Sequence, residues 1–379
     1  MLHAYIIQPR KEVISAFMEL GYRVTQILQT RRPTQATFHE KCDSIVVLNI
    51  GNPFELADAI SQQDPTVHGS NSICIGLGDL TSLVASVVNE LLGVDKSKFS
   101  PLSNLFVLKN KPLLRGILST SLPEYSGYFR VVHSVDEIKD AFRQVPSGLV
   151  VKPLDGSGSL GVFRLLSEDD IMKDSARFSF PALAEEFFSG SEFSVEVMTI
   201  DGQHQPLAVT QKVLGGESGV VEVGQIQPAD IDEATRLCLM DAATSLLDTI
   251  QFRFGLSHTE IILDVDTPKI VESHGRVGGD RIADLLRFTT GHDAFERLGF
   301  AILKGQFLPI EPIASSSRID FVNLMDYRGS DQEWKEALLS EPNVYSAEVM
   351  KPAGDRGPIW CSADRHAFVL SAFERKAQQ

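Results

Sequence analysis

Short apolar runs alternate with segments of helical periodicity over the first 95 residues. The runs lie at 2–9, 22–28, 44–50 and 72–78, with amphipathic segments ending at Leu20 and spanning 53–62. Such alternation predicts a small parallel sheet covered by helices. Leu80, Leu83, Val84, Val87, Val88 and Leu91 then form one stripe, so 79–92 reads as a helix closed by Gly93. No Gly-x-Gly-x-x-Gly follows the first strand, and a nicotinamide-binding Rossmann fold therefore lacks its fingerprint.

Polarity changes after residue 97, and 108–118 reads as a helix with Pro112 in its first turn. Lys111 stands at its N-terminus, where backbone N–H groups and a lysine together attract an anion. Strands are expected at 128–132 and 148–152, with a helix at 135–144 opened by Ser134. Between the second of these strands and another at 162–166 lies a loop containing Gly156, Ser157, Gly158, Ser159 and Gly161. Glycines let backbone N–H groups wrap around phosphate oxygens, and Lys152 on the preceding strand supplies charge. The spacing is not that of a P-loop, because the lysine precedes the glycines and a strand follows them. A flexible hairpin turn is the plainer alternative.

Next come a short helix at 168–174 and a strand at 182–188 ending in Glu185, Glu186, Phe187 and Phe188. Strands at 192–200 and 204–212 join through Asp201-Gly202; a glycine-rich loop at 215–219 leads to a strand at 220–223. Helices are expected at 230–247, 280–290 and 292–303. Past residue 306 the pattern yields strands at 319–325 and 345–350, with 359–361 and 368–371 as further candidates.

The stretch 258–280 carries the most chemistry. Its apolar runs 260–263 and 269–271 flank the turn-rich 264–268, which reads as a hairpin with a five-residue connection. Antiparallel pairing would set Glu260 beside Glu272. Two carboxylates converging on a dry site repel unless a cation lies between them, and oxygen ligands of this kind suit Mg²⁺ or Mn²⁺. Arg276 follows, close enough to offer a planar fork to a carboxylate or phosphate there. Alone, the stretch reads more readily as a surface hairpin with solvated acids; its companions elsewhere in the chain argue otherwise.

Composition narrows the classes. With 43% hydrophobic and 22% charged residues among 379, the chain has a soluble globular balance and apolar material for two or three cores. No apolar run reaches bilayer length and residues 1–30 lack a signal-peptide core, so no membrane role is expected. The net charge of −15 argues against a nucleic-acid partner. Any polyanionic substrate must then be held by a local cluster of cations. Cys42, Cys74, Cys238 and Cys361 are far apart and read as thiols in a reducing cytoplasm.

A lysine-then-glycine loop, an acid-aromatic strand, and a two-carboxylate hairpin ending in an arginine occur together in this order. In this the chain resembles the ATP-grasp carboxylate-amine ligases over roughly residues 75–300. The resemblance implies an ATP-grasp fold of mixed α/β and α+β class. An N-terminal α/β domain (1–98), a central lid domain (99–184) and a C-terminal α+β catalytic domain (185–379) are expected. By the same resemblance, Lys111 and Lys152 bind ATP phosphates and Gly156, Ser157, Gly158 and Ser159 close over them. Glu185, Glu186, Phe187 and Phe188 form the interlobe strand that meets adenine, and Glu192 accepts from the ribose. Lys212 also reaches the phosphates, Glu260 and Glu272 hold Mg²⁺, and Arg276 steadies the substrate carboxylate and acyl phosphate. His274 replaces the asparagine that many members carry, and Gln225 replaces a histidine, so a histidine base at that position is lacking.

Within the superfamily the hairpin is most similar to L-amino-acid ligases that make dipeptides. This implies an ATP-dependent ligase joining the carboxyl of one amino acid to the amino group of another, through an acyl phosphate, with release of ADP and phosphate. A ligase of the same fold using a non-amino-acid carboxylic acid or a peptide end is the alternative; a nucleotide-binding protein without catalysis is a third reading. Partners would be small molecules, with a homodimer left open.

Overall fold

The computed structural model describes residues 1–29, 42–156, 158 and 160–373. Its first unit is β1 (His3–Ile7), α1 (Lys11–Glu19), β2 (Arg23–Gln29), β3 (Asp43–Val47), α2 (Pro53–Gln63), β4 (Ser72–Ile75) and α3 (Asp79–Leu91). The strands form a parallel sheet in the order β3-β2-β1-β4, as the alternation predicts. Apolar residues of β1 and α1, among them Ala4 and Phe17, pack in one core with Met198, Leu256 and Phe295 of the large sheet and its helices. The first unit is thus fused to the body.

Two short helices follow, α4 (Leu102–Lys109) and α5 (Lys111–Ser121). The single helix expected at 108–118 is therefore corrected to a break at Asn110. This residue leaves helical backbone geometry and its side-chain oxygen accepts the Leu113 N–H at 3.0 Å. Lys111 consequently opens α5, and Arg115 lies one turn further on the same face.

The second unit holds β5 (Phe129–Val132), α6 (Val135–Phe142), β6 (Leu149–Pro153), β7 (Phe163–Leu165), α7 (Glu168–Asp174) and β8 (Ala182–Glu186), with the sheet order β5-β8-β6-β7. The chain enters this unit beside the point where it leaves, since Phe129 pairs with Glu185 and the Glu186 N–H donates to the Tyr128 carbonyl at 2.9 Å.

The body comprises β9 (Ser191–Ile200), β10 (Gln203–Gly215), β11 (Val221–Gln227), α8 (Glu233–Thr249), β12 (Phe254–Asp264), β13 (Thr267–His274), α9 (Ile282–Thr290), α10 (Ala294–Lys304), β14 (Ser316–Val322), α11 (Asp331–Leu339), β15 (Val344–Val349) and β16 (Ala367–Phe373). An eight-stranded sheet runs β13-β12-β9-β10-β11-β14-β16-β15. The expected five-residue connection after β12 is in fact two residues. Val265 and Asp266 both adopt positive φ, 44° and 66°, which makes a tight turn and lets Asp264 pair with Thr267. Pro268 enters the ladder without cost because β13 lies at the sheet edge. Residues 359–361 form no strand; the preceding β15 pairs with β16 directly, and the Ile359 carbonyl instead accepts from the Glu217 N–H at 2.9 Å. No helix among the described residues is long and apolar enough to cross a membrane.

Candidate active site

A cleft of about 530 Å³ separates the second unit from the body. Its lining includes Lys111, Lys152, Gly156, Gly158, Glu185, Glu186, Phe187, Phe188, Glu192, Glu260, Glu272 and Arg276, so most of the residues singled out from sequence share one cavity. Ser157 and Ser159 lie outside the described residues. Lys212 is not on the wall: its side chain is 1% exposed and sits below the floor.

Register explains how the two metal-type carboxylates meet. Glu260 and Glu272 are direct Cα partners across β12 and β13, and His258 opposes His274 one step along the same face. The sequence spacing His-x-Glu on one strand and Glu-x-His on the other therefore stacks four polar side chains, with the imidazole centroids 6.1 Å apart. Each imidazole bridges two acids. Nε2 of His258 is 3.1 Å from Glu260 Oε1 while its Nδ1 is 2.5 Å from Glu196 Oε1. Nε2 of His274 is 3.3 Å from Glu272 Oε1 while its Nδ1 is 3.2 Å from Asp79 Oδ1.

Lysines neutralise the same carboxylates. Lys111 Nζ is 3.0 Å from Glu272 Oε1. Lys212 Nζ lies 2.7 Å from Glu260, 2.7 Å from Glu222 and 3.0 Å from Glu192. Burial works against its charge, but Glu260, Glu222 and Glu192 together hold its pKa well above the ordinary value. Glu272 shows the converse: burial favours its neutral form, yet His274 and Lys111 bring it down to about 2. Glu192 goes the other way, raised by burial and by the nearby Glu260 and Glu222 despite Lys212.

On the opposite wall, Lys152 Nζ reaches Glu185 Oε2 at 2.6 Å, and Arg115 grips Glu185 Oε1 while donating to the carbonyls of Ile270 and Val271. Burial opposes ionisation of Glu185, but Arg115 and Lys152 outweigh it and its pKa is lowered. Arg115 thereby ties the second unit to the hairpin. Lys111 also donates to the Gly156 carbonyl at 3.0 Å, which anchors the glycine loop. Glu186 turns toward the hinge and accepts from the Tyr128 N–H at 3.2 Å. Gln225, fully buried and paired in register with Lys212, donates Nε2 to Glu222 Oε2 at 2.7 Å; its Oε1 has no hydrogen-bond partner among the described residues, and the residue borders the cleft.

Sequence reasoning did not single out Asp79, Arg115, Glu196, Glu222 or His258. For Arg115 a signal existed, one helical turn beyond Lys111. His258 and Glu196 were readable from the period-two spacing to Glu260 and Glu192. Asp79 had none, since only the tertiary fold brings it to Arg276.

The donor set fits a hard divalent cation. In both Glu260 and Glu272 a lysine and a histidine nitrogen approach the same oxygen, Oε1, so both carboxylates are held ionised side by side. No three His, Cys, Asp or Glu side chains among the described residues form a complete metal cage. Mg²⁺ asks for none, because it is held by one or two carboxylates with phosphate and water completing the shell.

Comparison with known proteins joins this geometry to a family, for residues 134–280 match the ATP-grasp domain family. The chain contains an ATP-grasp domain. Its fold is the ATP-grasp fold throughout: an L-amino acid ligase from Bacillus licheniformis superposes with a TM-score of 0.79 at 19% identity, covering 99% of this chain and 94% of that one. Among curated proteins, a D-alanine–D-alanine ligase of Christiangramia forsetii is 25% identical over 50% of this chain and 60% of its own length. An alanine–anticapsin ligase of Bacillus subtilis is 23% identical over 44% of this chain and 41% of its own. The chain thus spans only 60% and 41% of the curated relatives that it matches.

Proposed function

We propose that this ATP-grasp protein is an ATP-dependent ligase that joins the carboxyl of one amino acid to the amino group of another through an acyl phosphate, releasing ADP and phosphate. The observation that carries it is the side-by-side placement of Glu260 and Glu272 in the cleft that Lys111, Lys152 and Arg276 also line. The units fall near 1–98, 99–184 and 185–379, with the second as lid. Its substrates would be small molecules, and its place of work the cytoplasm.

A carboxylate resists amine attack because resonance and charge protect its carbon. Transfer of a phosphoryl group makes the oxygen a good leaving group, and every step gathers negative charge in one place. A divalent cation held by Glu260 and Glu272 supplies charge neutralisation along the phosphates. Lys111 and Lys152 bind phosphate oxygens, exchanging their present carboxylate partners for them. Phe187 and Phe188 flank the base, and Glu192 takes the ribose hydroxyls. Arg276 orients the substrate carboxylate and then the acyl phosphate. Gln225 cannot accept a proton as a base would, so the amine loses its proton to another group. The glycine loop excludes water, which would otherwise hydrolyse the acyl phosphate.

ATP supplied with pools of amino acids tests this directly. ADP and a dipeptide should appear together only when both substrates are present, and hydroxylamine should trap the activated acid as a hydroxamate. Glu272→Gln should lower turnover by roughly 100-fold or more, as for loss of a group that stabilises transition-state charge. Near wild-type rates in that variant would remove the hairpin from the chemistry.

A further inference from the structure

Asp79 stands on the crest of the N-terminal sheet. β4 ends at Ile75, Gly76, Leu77 and Gly78 turn the chain, and Asp79 is the first residue of α3. A Cβ on Gly76 would lie 2.0 Å from the Thr81 carbonyl oxygen, so the turn packs tightly against the helix that it starts. Asp79 Oδ1 accepts from Arg276 Nε and lies 3.2 Å from His274 Nδ1, whose ring carries on to Glu272. Arg276 is further fixed by donating to the Val277 carbonyl at 2.9 Å. One oxygen of the first unit thus holds a guanidinium that lines the cleft and, through an imidazole, one of the two paired carboxylates.

We propose that Asp79 is a positioning residue that aligns Arg276 and, through His274, Glu272, so that the N-terminal unit completes the site without touching the nucleotide. The inference rests on the reading of Glu272 as a cation ligand. Its counterpart is internal to the large sheet, where Glu196 holds His258 and His258 holds Glu260. There the outer acid comes from the neighbouring strand; for Glu272, at the edge strand, no such neighbour lies beyond, and the acid is supplied by Asp79 of the first unit. Outer partners of this kind fix ring orientation and ligand direction, and their loss typically weakens metal binding by about 10- to 100-fold.

The test uses the full chain with Asp79→Asn, which keeps the shape and removes the charge. Mn²⁺ binding in the presence of ADP is followed by the electron paramagnetic resonance of free Mn²⁺, ADP binding without metal by calorimetry, and folding by thermal unfolding. Mn²⁺ affinity should fall about 10-fold while metal-free ADP affinity stays close to wild type and the protein remains folded at the assay temperature, its unfolding midpoint lowered only by the lost ion pair. His274→Gln should give the same fall, and the double variant no more than either single one, because both act through one chain of contacts. Unchanged Mn²⁺ affinity in Asp79→Asn, additive losses in the double variant, or joint loss of ADP binding and folding would each overturn the proposal. If wild-type protein bound ADP but took up no Mn²⁺ with it, the reading of Glu272 itself would fall, which is a separate result.

Discussion

His258 is charged because two acids hold it. Burial alone would push its pKa down, yet Glu196 and then Glu260 raise it to about 9 from the ordinary 6.5. A histidine raised in this way contributes stability that is complete below pH 6.5 and is lost as the pH climbs through about 9. A shift of that size corresponds to about 3 kcal/mol. His3 has the opposite sign: burial brings it down to about 4, so its contribution is present above 6.5 and fades as the pH falls toward 4. Chemical unfolding of the metal-free protein should therefore show an alkaline arm on which stability declines from about pH 7 to about pH 10. His258→Gln should flatten that arm and spare the acid one. A wild-type profile that is level over the alkaline range would contradict the double ion pair.

The hairpin of β12 and β13 does more than carry two carboxylates. Lys269 Nζ donates to the carbonyls of Glu124 and Ser126, both at 2.8 Å, and lies 6.0 Å from the Phe188 ring. At the other end of the turn, Asp264 Oδ1 accepts from the Ser189 N–H at 3.2 Å. Both crossings between the second unit and the body are thus pinned by the element that holds Glu260 and Glu272. Between them Gly127 has no side chain for a reason: a Cβ there would lie 2.4 Å from Phe188 Cζ. Lys269→Met should loosen the hinge and raise KM for ATP by about 10-fold, since a hydrogen bond from a charged group is worth roughly 1.5–3 kcal/mol. The check is steady-state kinetics alongside thermal unfolding, and an unaltered KM would show that the pins are dispensable. Much of this element was legible, because the alternation at 258–263 and 269–274 determines which side chains share a face. Its turn was misjudged because Val265 is not a residue that ordinarily takes positive φ.

At the scale of the whole molecule, the C-terminal region reaches the cleft, which Ser362 helps to line. The Ser362 N–H donates to the Gly158 carbonyl at 3.3 Å, so this segment meets the glycine loop. Arg365 sets it there by donating to the Ser362 carbonyl at 2.8 Å and to Asp280 at 2.5 Å, with its guanidinium 3.8 Å over the Phe321 ring. Arg365→Ala should admit water, and phosphate release without matching amide product should rise several-fold; tight coupling in that variant would place the barrier elsewhere. Beyond residue 306 the strands at 319–325, 345–350 and 368–371 were legible, but their place was not, because β14 joins β11 and β16 across long intervals of chain, and α11 shows no sharp apolar stripe. The parallel first sheet and the strands up to β13 were readable, though not their order within the larger sheets, since each apolar run there is bounded by its own turn. The paired crossings at 126–129 and 185–189 have one more consequence. The second unit is inserted into the body like a bracketed phrase, its two ends adjoining, so a short glycine linker could replace it and leave a body that still folds.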